Sequence, residues 1–352
     1  MGIKITGTGS YIPSHIEKNE NFYNHQFLNA DGSTIKNSNE VIVEKFKAIT
    51  GIKERRYVTN DLLNSDIASY AAEKAIEDAN IDRETIDYII VAHNYGDIMH
   101  NSEQSDTVPS IASRVKHLLK IKNPKCVGYD ILFGCPGWIE GVIQAKAFIA
   151  SGIAKRCLVI GSETLSRVID PHDRDSMIYG DGAGAAIIEQ SETEDGILAH
   201  ESATFSYDEA HFIFFGKTND KESKAERKYI KMYGRKIYEF ALTNVPQALK
   251  TCLEKSGRSI HDVKKILIHQ ANEKMDEAIV KRFYKLHQME MPEGVMPMTI
   301  NMLGNSSVAT VPTLFDVILK GNLEHQEINK GDVIIFASVG AGMNINAIVY
   351  QY

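Results

Sequence analysis

The feature that most restricts this chain is that it is written twice. Ile86-Asp-Tyr-Ile-Ile-Val91 reads as a buried strand behind a helix that carries Ala71, Ala72, Ala75 and Ala79. Val263-Lys-Lys-Ile-Leu-Ile268 stands 177 residues later, behind a helix that carries Ala248, Leu249 and Leu253. Cys157-Leu-Val-Ile-Gly-Ser162 is matched by Val333-Ile-Ile-Phe-Ala-Ser338 at an offset of 176. Between these, Cys135 to Gly152 and Gly304 to Gly321 both run from a turn through a helix to a glycine, at an offset of 169. Three pairs in one order predict a duplicated half of about 175 residues, a single doubling rather than a solenoid of short units. Each half alternates apolar strands with helices, which predicts an α/β chain with buried sheets. Gln190-Ser-Glu-Thr-Glu-Asp-Gly196 is a polar loop between them, so the halves divide as 1–189 and 190–352.

Composition narrows the function classes. With 43% hydrophobic and 24% charged residues among 352, the chain supports a full core without covalent staples. A net charge of −7 argues against a nucleic-acid binder, which needs a broad basic footprint. Cys126, Cys135, Cys157 and Cys252 form no CxxC pair and no zinc-like spacing with histidine. Apolar runs are broken before the roughly 18–20 residues of a membrane span, and no basic-then-apolar leader is visible. These features predict a cytoplasmic chain with reduced thiols and no membrane association. The charged stretch 217–228 reads as a solvated excursion, and 17–48 and 94–107 as irregular polar insertions placed to cover a site.

The local setting of Cys135 is that of a nucleophile. The strand-like Val127-Gly-Tyr-Asp-Ile-Leu132 is followed by Phe133-Gly134-Cys135-Pro136-Gly137 and then by a helix from Trp138 to Ala150. Pro136 suits a first helical turn. A thiol at a helix N-terminus meets free amides and the positive end of the dipole, which favour the thiolate. Thiolates attack thioesters. A small buried core cysteine is the competing reading and weighs equally on local grounds; it prevails for Cys126, Cys157 and Cys252, which sit on strand or helix patterns.

Two polar residues sit where an α/β site would gather them. His269 ends the strand 265–268, and Asn305 follows Gly304 in the turn Gly304-Asn305-Ser306-Ser307. A group at a strand's carboxyl end projects into the crevice, and an amide there is able to donate to an oxyanion. Taken singly, each reads at least as well as a helix cap or a loop residue.

Together with Thr50-Gly-Ile-Lys-Glu-Arg55, Asp170-Pro-His-Asp-Arg174, Tyr179-Gly-Asp-Gly-Ala-Gly-Ala185, His269-Gln-Ala-Asn272 and the closing Gly340-Ala-Gly342, these turns occur in one order over nearly the whole chain. In them the chain resembles the 3-oxoacyl-acyl-carrier-protein synthase III family, the ketoacyl synthases III. The resemblance implies a thiolase-like fold, in which duplicated α/β halves form a five-layered αβαβα arrangement. It implies a catalytic triad of Cys135, His269 and Asn305, with the backbone N–H groups of Cys135 and Ala341 as an oxyanion hole. The implied reaction is acyl transfer from a thioester to Cys135, then decarboxylative condensation with a malonyl thioester to a 3-oxoacyl thioester. No metal or redox cofactor is implied. A homodimer joined edge to edge through the strand near Cys157–Ile160 is.

Departures from the family pattern bear on the substrate. Lys45 and Ile49 stand where the family carries a Trp and an Arg for coenzyme A, and Arg235 stands where an Asn would contact pantetheine. The first departure favours an acyl-carrier-protein donor. Phe133 beside the nucleophile, and Val108 in place of a bulky aromatic, predict a reshaped acyl pocket. Lys274, Lys281 and Lys285 are spaced by seven and four on one helical face, with Arg282 beside them. A solvated face is the default for such charges. On an acidic chain facing an acidic carrier protein, however, steering needs a local basic patch, and Arg235 extends it. The sequence therefore predicts a condensing enzyme of fatty-acid or polyketide-like lipid synthesis. The alternatives are an acyltransferase that uses the same acyl-cysteine without decarboxylation, and a silent subunit of a condensing heterodimer.

Overall fold

The computed structural model describes residues 2–352. The first half runs β1 (Ile3–Tyr11), β2 (His15–Lys18), α1 (Asn39–Thr50), β3 (Glu54–Tyr57), α2 (Asn64–Asp78), β4 (Tyr88–Ala92), α3 (Ile111–Leu118), β5 (Val127–Ile131), α4 (Gly137–Ala150), β6 (Arg156–Thr164) and β7 (Asp181–Gln190). The second runs β8 (Gly196–Thr204), β9 (Ile213–Lys217), β10 (Lys228–Met232), α5 (Gly234–Ser256), β11 (Val263–Ile268), α6 (Glu273–Leu286), α7 (Ile300–Leu303), α8 (Thr310–Leu319), β12 (Val333–Gly340) and β13 (Asn344–Gln351).

One sheet has the order β1-β7-β6-β4-β5 and the other β8-β13-β12-β11. Each contains a parallel pair, β4/β6 or β11/β12, followed by two antiparallel neighbours. β5 has no strand counterpart in the second sheet. At the corresponding edge Ile266 N donates to Val295 O at 2.8 Å.

The layers follow from which faces are apolar. Strands buried on both faces read as continuous hydrophobic runs rather than alternations, and all eight residues of β12 are buried. α4 and α8 lie between the sheets. Trp138 and Val142 of α4 and Leu314 and Phe315 of α8 share a core with Ile90 and Val159 on one side and Leu267 and Phe336 on the other. α2 and α3 cover the outer face of the first sheet through Ala71, Ala75, Ile111 and Val115. α5 and α6 cover the outer face of the second through Leu249, Leu253, Ile279 and Phe283. The result is the five-layered αβαβα, thiolase-like arrangement.

Two expectations need correction, and a third gains a structural setting. Residues 39–50, read as irregular, form α1, whose Ile42 and Val43 face a small core with Phe22 and Met177. The charged stretch 217–228 is solvated over 221–226, as expected, and its ends are held by the β9/β10 ribbon. Ile213 and Ile230 face a cavity, while Thr218 Oγ1 and Asn219 N donate to buried Asp170 at 2.9 and 2.8 Å. The strand containing Cys157–Ile160 is β6, hydrogen-bonded on both sides by β4 and β7, so it has no edge to offer a partner. The edge strands of that sheet are β1 and β5. Among the described residues no helix is long and apolar enough to cross a membrane.

Candidate active site

The turn after β5 is held by a backbone-on-backbone contact. Gly134 has φ +66°, and a Cβ there would lie 2.6 Å from Ala341 N. From the opposite side, a Cβ on Gly340 would lie 2.4 Å from Cys135 N. Any side chain on either glycine would push apart the N–H groups of Cys135 and Ala341, the pair expected to form an oxyanion hole. α4 begins at Gly137 with Pro136 as its cap, so Cys135 stands at the helix N-terminus.

The partners arrive from the second half. His269 follows β11, and its N–H donates to Ala337 O at 2.8 Å. It is 3% exposed, and its ring Nδ1 has no hydrogen-bond partner. Asn305 is fixed by its backbone: N donates to Ile178 O at 2.9 Å, and O accepts from Gly180 N at 2.8 Å. Its Oδ1 accepts from Ser307 N at 2.7 Å, which leaves the amide Nδ2 to donate into the site. Beneath this loop lies the fully buried guanidinium of Arg55, which donates to Met177 O, Glu17 O and Asn19 Oδ1 at 2.8–3.1 Å.

Cys135, His269, Asn305 and Ala341 line one cavity of about 90 Å³, walled by Leu165, Tyr179, Ile213 and Ile230. A wider cavity of about 500 Å³ adjoins it and shares Ile178, Met232, Ile237, Ala271 and Met275. Lys45, Ile49, Arg174 and Tyr238 stand in that outer part. An apolar chamber behind a passage suits an acyl chain entering on a flexible arm.

Burial sets the charge states. His269 is lowered to about 4 by burial, against a smaller opposing effect of the Ser307 backbone. At neutral pH it is an uncharged imidazole, with one N–H to donate and one lone pair to accept. Cys135 is pushed up to about 11 by burial, against the Ser307 hydroxyl and with the Glu163 carboxylate adding to the rise. The resting thiolate expected from the helix N-terminus is therefore outweighed by desolvation, and Cys135 rests as a thiol.

Other predicted residues fall elsewhere. Phe133 and Val108 do not line this chain's cavity. Phe133 packs against the central core and its carbonyl accepts from Asn344 Nδ2 at 3.2 Å, while Val108 is 85% exposed. Lys274, Lys281, Arg282 and Lys285 are exposed on α6, and Arg235 is exposed at the start of α5 beside the outer cavity. Lys281 pairs with Glu277 at 2.6 Å, Arg235 with Glu239 at 2.9 Å, and Arg282 Nη1 donates to Leu242 O at 3.0 Å. Sequence reasoning missed Asn94, Glu163 and the side chain of Ser307, which form a hydrogen-bonded chain to Cys135. Only Ser307 carried a signal, as the last residue of the Gly304 turn.

Comparison with known proteins agrees over the full length. Residues 129–205 match the family described as 3-Oxoacyl-[acyl-carrier-protein (ACP)] synthase III, and residues 253–352 match its C-terminal counterpart. Beta-ketoacyl-[acyl-carrier-protein] synthase III 1 of Vibrio vulnificus (strain YJ016) is 33% identical over 354 residues, covering 100% of both chains. Beta-ketoacyl-[acyl-carrier-protein] synthase III of Bacillus pumilus (strain SAFR-032) is 31% identical over 353 residues, covering 100% of this chain and 99% of the other. The crystal structure of 3-oxoacyl-[acyl-carrier-protein] synthase III from Aquifex aeolicus VF5 superposes with a TM-score of 0.82 at 29% identity, covering 100% of both chains.

Proposed function

Because the chain belongs to the 3-oxoacyl-acyl-carrier-protein synthase III family, we propose that it makes carbon–carbon bonds from acyl thioesters. The observation that carries this reading is the meeting of Cys135, His269, Asn305 and the Ala341 backbone on one buried, mostly apolar cavity. In the first step the sulfur of Cys135 attacks the acyl thioester, the carrier thiol leaves, and the cysteine proton ends on that thiol. The N–H groups of Cys135 and Ala341 receive the oxyanion. In the second step a malonyl thioester loses CO₂. The enolate oxygen accepts from the His269 ring and from Asn305 Nδ2, each such donor being worth about 10²–10³ in rate. The enolate carbon then bonds to the acyl carbonyl and expels the Cys135 thiolate, giving a 3-oxoacyl thioester. Decarboxylation supplies the carbanion, so the scheme needs no metal or redox cofactor.

Acyl carrier protein is the proposed donor. Lys45 and Ile49 in the outer cavity offer no aromatic platform for an adenine, whereas Lys274, Arg282 and Lys285 give an acidic carrier a basic face near it. A second copy of the chain is the proposed partner, paired along β5, whose flanks expose Val127 and Leu132. The proposed setting is fatty-acid or polyketide-like lipid synthesis in the cytoplasm.

Intact mass after incubation with acyl-carrier thioesters tests the first step. An adduct that disappears in Cys135→Ala supports it, and no adduct with any donor of any chain length sinks it. CO₂ release from malonyl thioester then separates condensation from plain acyl transfer, and undiminished release in His269→Ala would remove that residue's assigned role.

A further inference from the structure

Beyond the residues assigned so far, one chain of hydrogen bonds ends on the nucleophile. Glu163, at the end of β6, is 1% exposed. Its Oε2 accepts from Asn94 N at 3.0 Å and from Asn94 Nδ2 at 2.7 Å. The same Nδ2 donates to Ser307 Oγ at 3.2 Å, and Ser307 Oγ donates to Cys135 Sγ at 3.3 Å.

With Glu163 ionised, the direction of this chain is fixed. An ionised carboxylate only accepts, so Asn94 must turn its NH₂ toward Glu163, and its second hydrogen then points at Ser307. A hydroxyl has one hydrogen. With its oxygen facing the Asn94 donor, Ser307 has the sulfur left to donate to. The serine is also held at φ 53°, in the left-handed region that side chains disfavour. Its N–H is tied to Asn305 Oδ1 at 2.7 Å. One residue thus contacts both the nucleophile and the amide aimed at the enolate.

We infer that Ser307 is a catalytic residue that donates a hydrogen bond to the Cys135 sulfur whenever it carries charge, and that Asn94 and Glu163 are positioning residues that fix the direction of that bond. The inference rests on Cys135 being the nucleophile. Sulfur carries charge twice in the cycle: when the thiol gives up its proton to attack, and when the tetrahedral adduct of the condensation expels it. A donor to sulfur is stronger toward thiolate than toward thiol, so it favours those two points over the resting state. It also opposes the burial that raises the thiol. Glu163 itself is pushed up to about 7 by burial, with His93 opposing and Asp181 adding. Tyr95 and Cys135 are the other titratable groups against it.

The test is alkylation of Cys135 by iodoacetamide between pH 8 and 10, where Glu163 is ionised, followed by peptide mass spectrometry. The three buried cysteines serve as controls in the same digest. No acyl donor is involved, so the outcome is independent of whether the chain condenses thioesters; the acyl adduct on Cys135 is measured separately. A hydrogen bond to a charged acceptor is worth about 10–100-fold in the ionised fraction, and the rising nucleophilicity of a more basic thiolate returns about half of that exponent. Ser307→Ala should therefore react about 3–10-fold more slowly at each pH. Asn94→Ala should move the rate–pH line the same way without touching the sulfur, and the double variant should equal Ser307→Ala alone. Thermal melts of each variant separate these effects from unfolding. A wild-type profile in Ser307→Ala would overturn the catalytic assignment. A wild-type profile in Asn94→Ala, or additive losses in the double variant, would overturn the positioning.

Discussion

Replacing Gly340 by Ala isolates the backbone contact on which the proposed oxyanion hole rests. Gly340 has φ −165°, extended backbone open to any residue, so alanine brings no conformational strain there. It brings a collision: its Cβ would lie 2.4 Å from Cys135 N, against the 3.0–3.4 Å that even a tight contact needs. The Cys135 N–H must therefore move by about 0.6–1.0 Å, the difference between those distances. The obstacle is backbone on both sides, so no rotamer change relieves it. A displacement near 1 Å at a reacting centre costs about 10²-fold, the same order as losing one oxyanion donor. Gly152→Ala is the control: its φ is +76° and nothing lies within 4 Å, so it pays only the left-handed backbone cost of about 1–2 kcal/mol, far from the site. Rapid mixing with acyl-carrier thioester, quenching and intact mass give the rate of the Cys135 adduct, and thermal melts give stability. Gly340→Ala should acylate about 100-fold more slowly, while Gly152→Ala melts lower and acylates as the wild type does. A Gly340→Ala enzyme acylating within about threefold of wild type would show that the two backbones do not set the hole.

Two further outcomes follow from the same geometry. His269 binds its proton near pH 4 in the folded chain and near 6.5 when unfolded, so the stability from keeping it neutral is fully present above pH 6.5 and is lost as pH falls toward 4. The loss totals about 3 kcal/mol, and urea midpoints of His269→Asn should be flatter than those of the wild type across that window. Lys274→Glu with Lys285→Glu should slow acylation from a carrier protein and flatten its salt dependence, yet leave acylation by a small soluble thioester unchanged; equal slowing with both donors would mean that the α6 face does not dock the carrier.

The fold was legible where burial is two-sided. β4, β6, β11 and β12 are packed on both faces over most of their length, so each carries a continuous apolar stretch such as Cys157–Ile160 or Ile266–Ile268, and the stretches repeat at one spacing because the two sheets share one strand order. What the sequence hid lies at the margins of those layers. α1 has Lys, Glu and Thr scattered through it because only Ile42, Val43 and Thr50 are buried, and its other faces border the outer cavity or solvent. The β9/β10 ribbon looks like a charged excursion because its tip is solvated, while the residues that matter, Ile213 and Ile230, are single apolar positions facing the cavity. A ribbon of five-residue strands gives too short an alternation to be read against such a background.

The site was legible for a different reason. Cys135, His269 and Asn305 each follow an element boundary marked by glycine or by a strand's end, so their backbone settings can be read locally even though their meeting cannot. Glu163 and Asn94 carry no such mark, and Ser307 has only its place at the end of the Gly304 turn. A buried Glu closing an apolar strand and an Asn opening a polar loop become connected only when β6, the segment after β4 and the turn before α8 are folded together. The same folding explains why the charge state of the nucleophile came out opposite to expectation. A helix N-terminus is a local feature and acts within one turn. Desolvation is a property of the closed cavity, to which both halves contribute walls, and it raises the thiol to about 11. A nucleophile so placed needs its donors aimed at it beforehand, since a chamber that excludes water offers no solvent to stabilise the sulfur's charge. The polar chain from Glu163 to Ser307 is the counterpart of that apolar enclosure: the burial that suits an acyl chain makes a fixed hydroxyl beside the sulfur worth more than it would be in water.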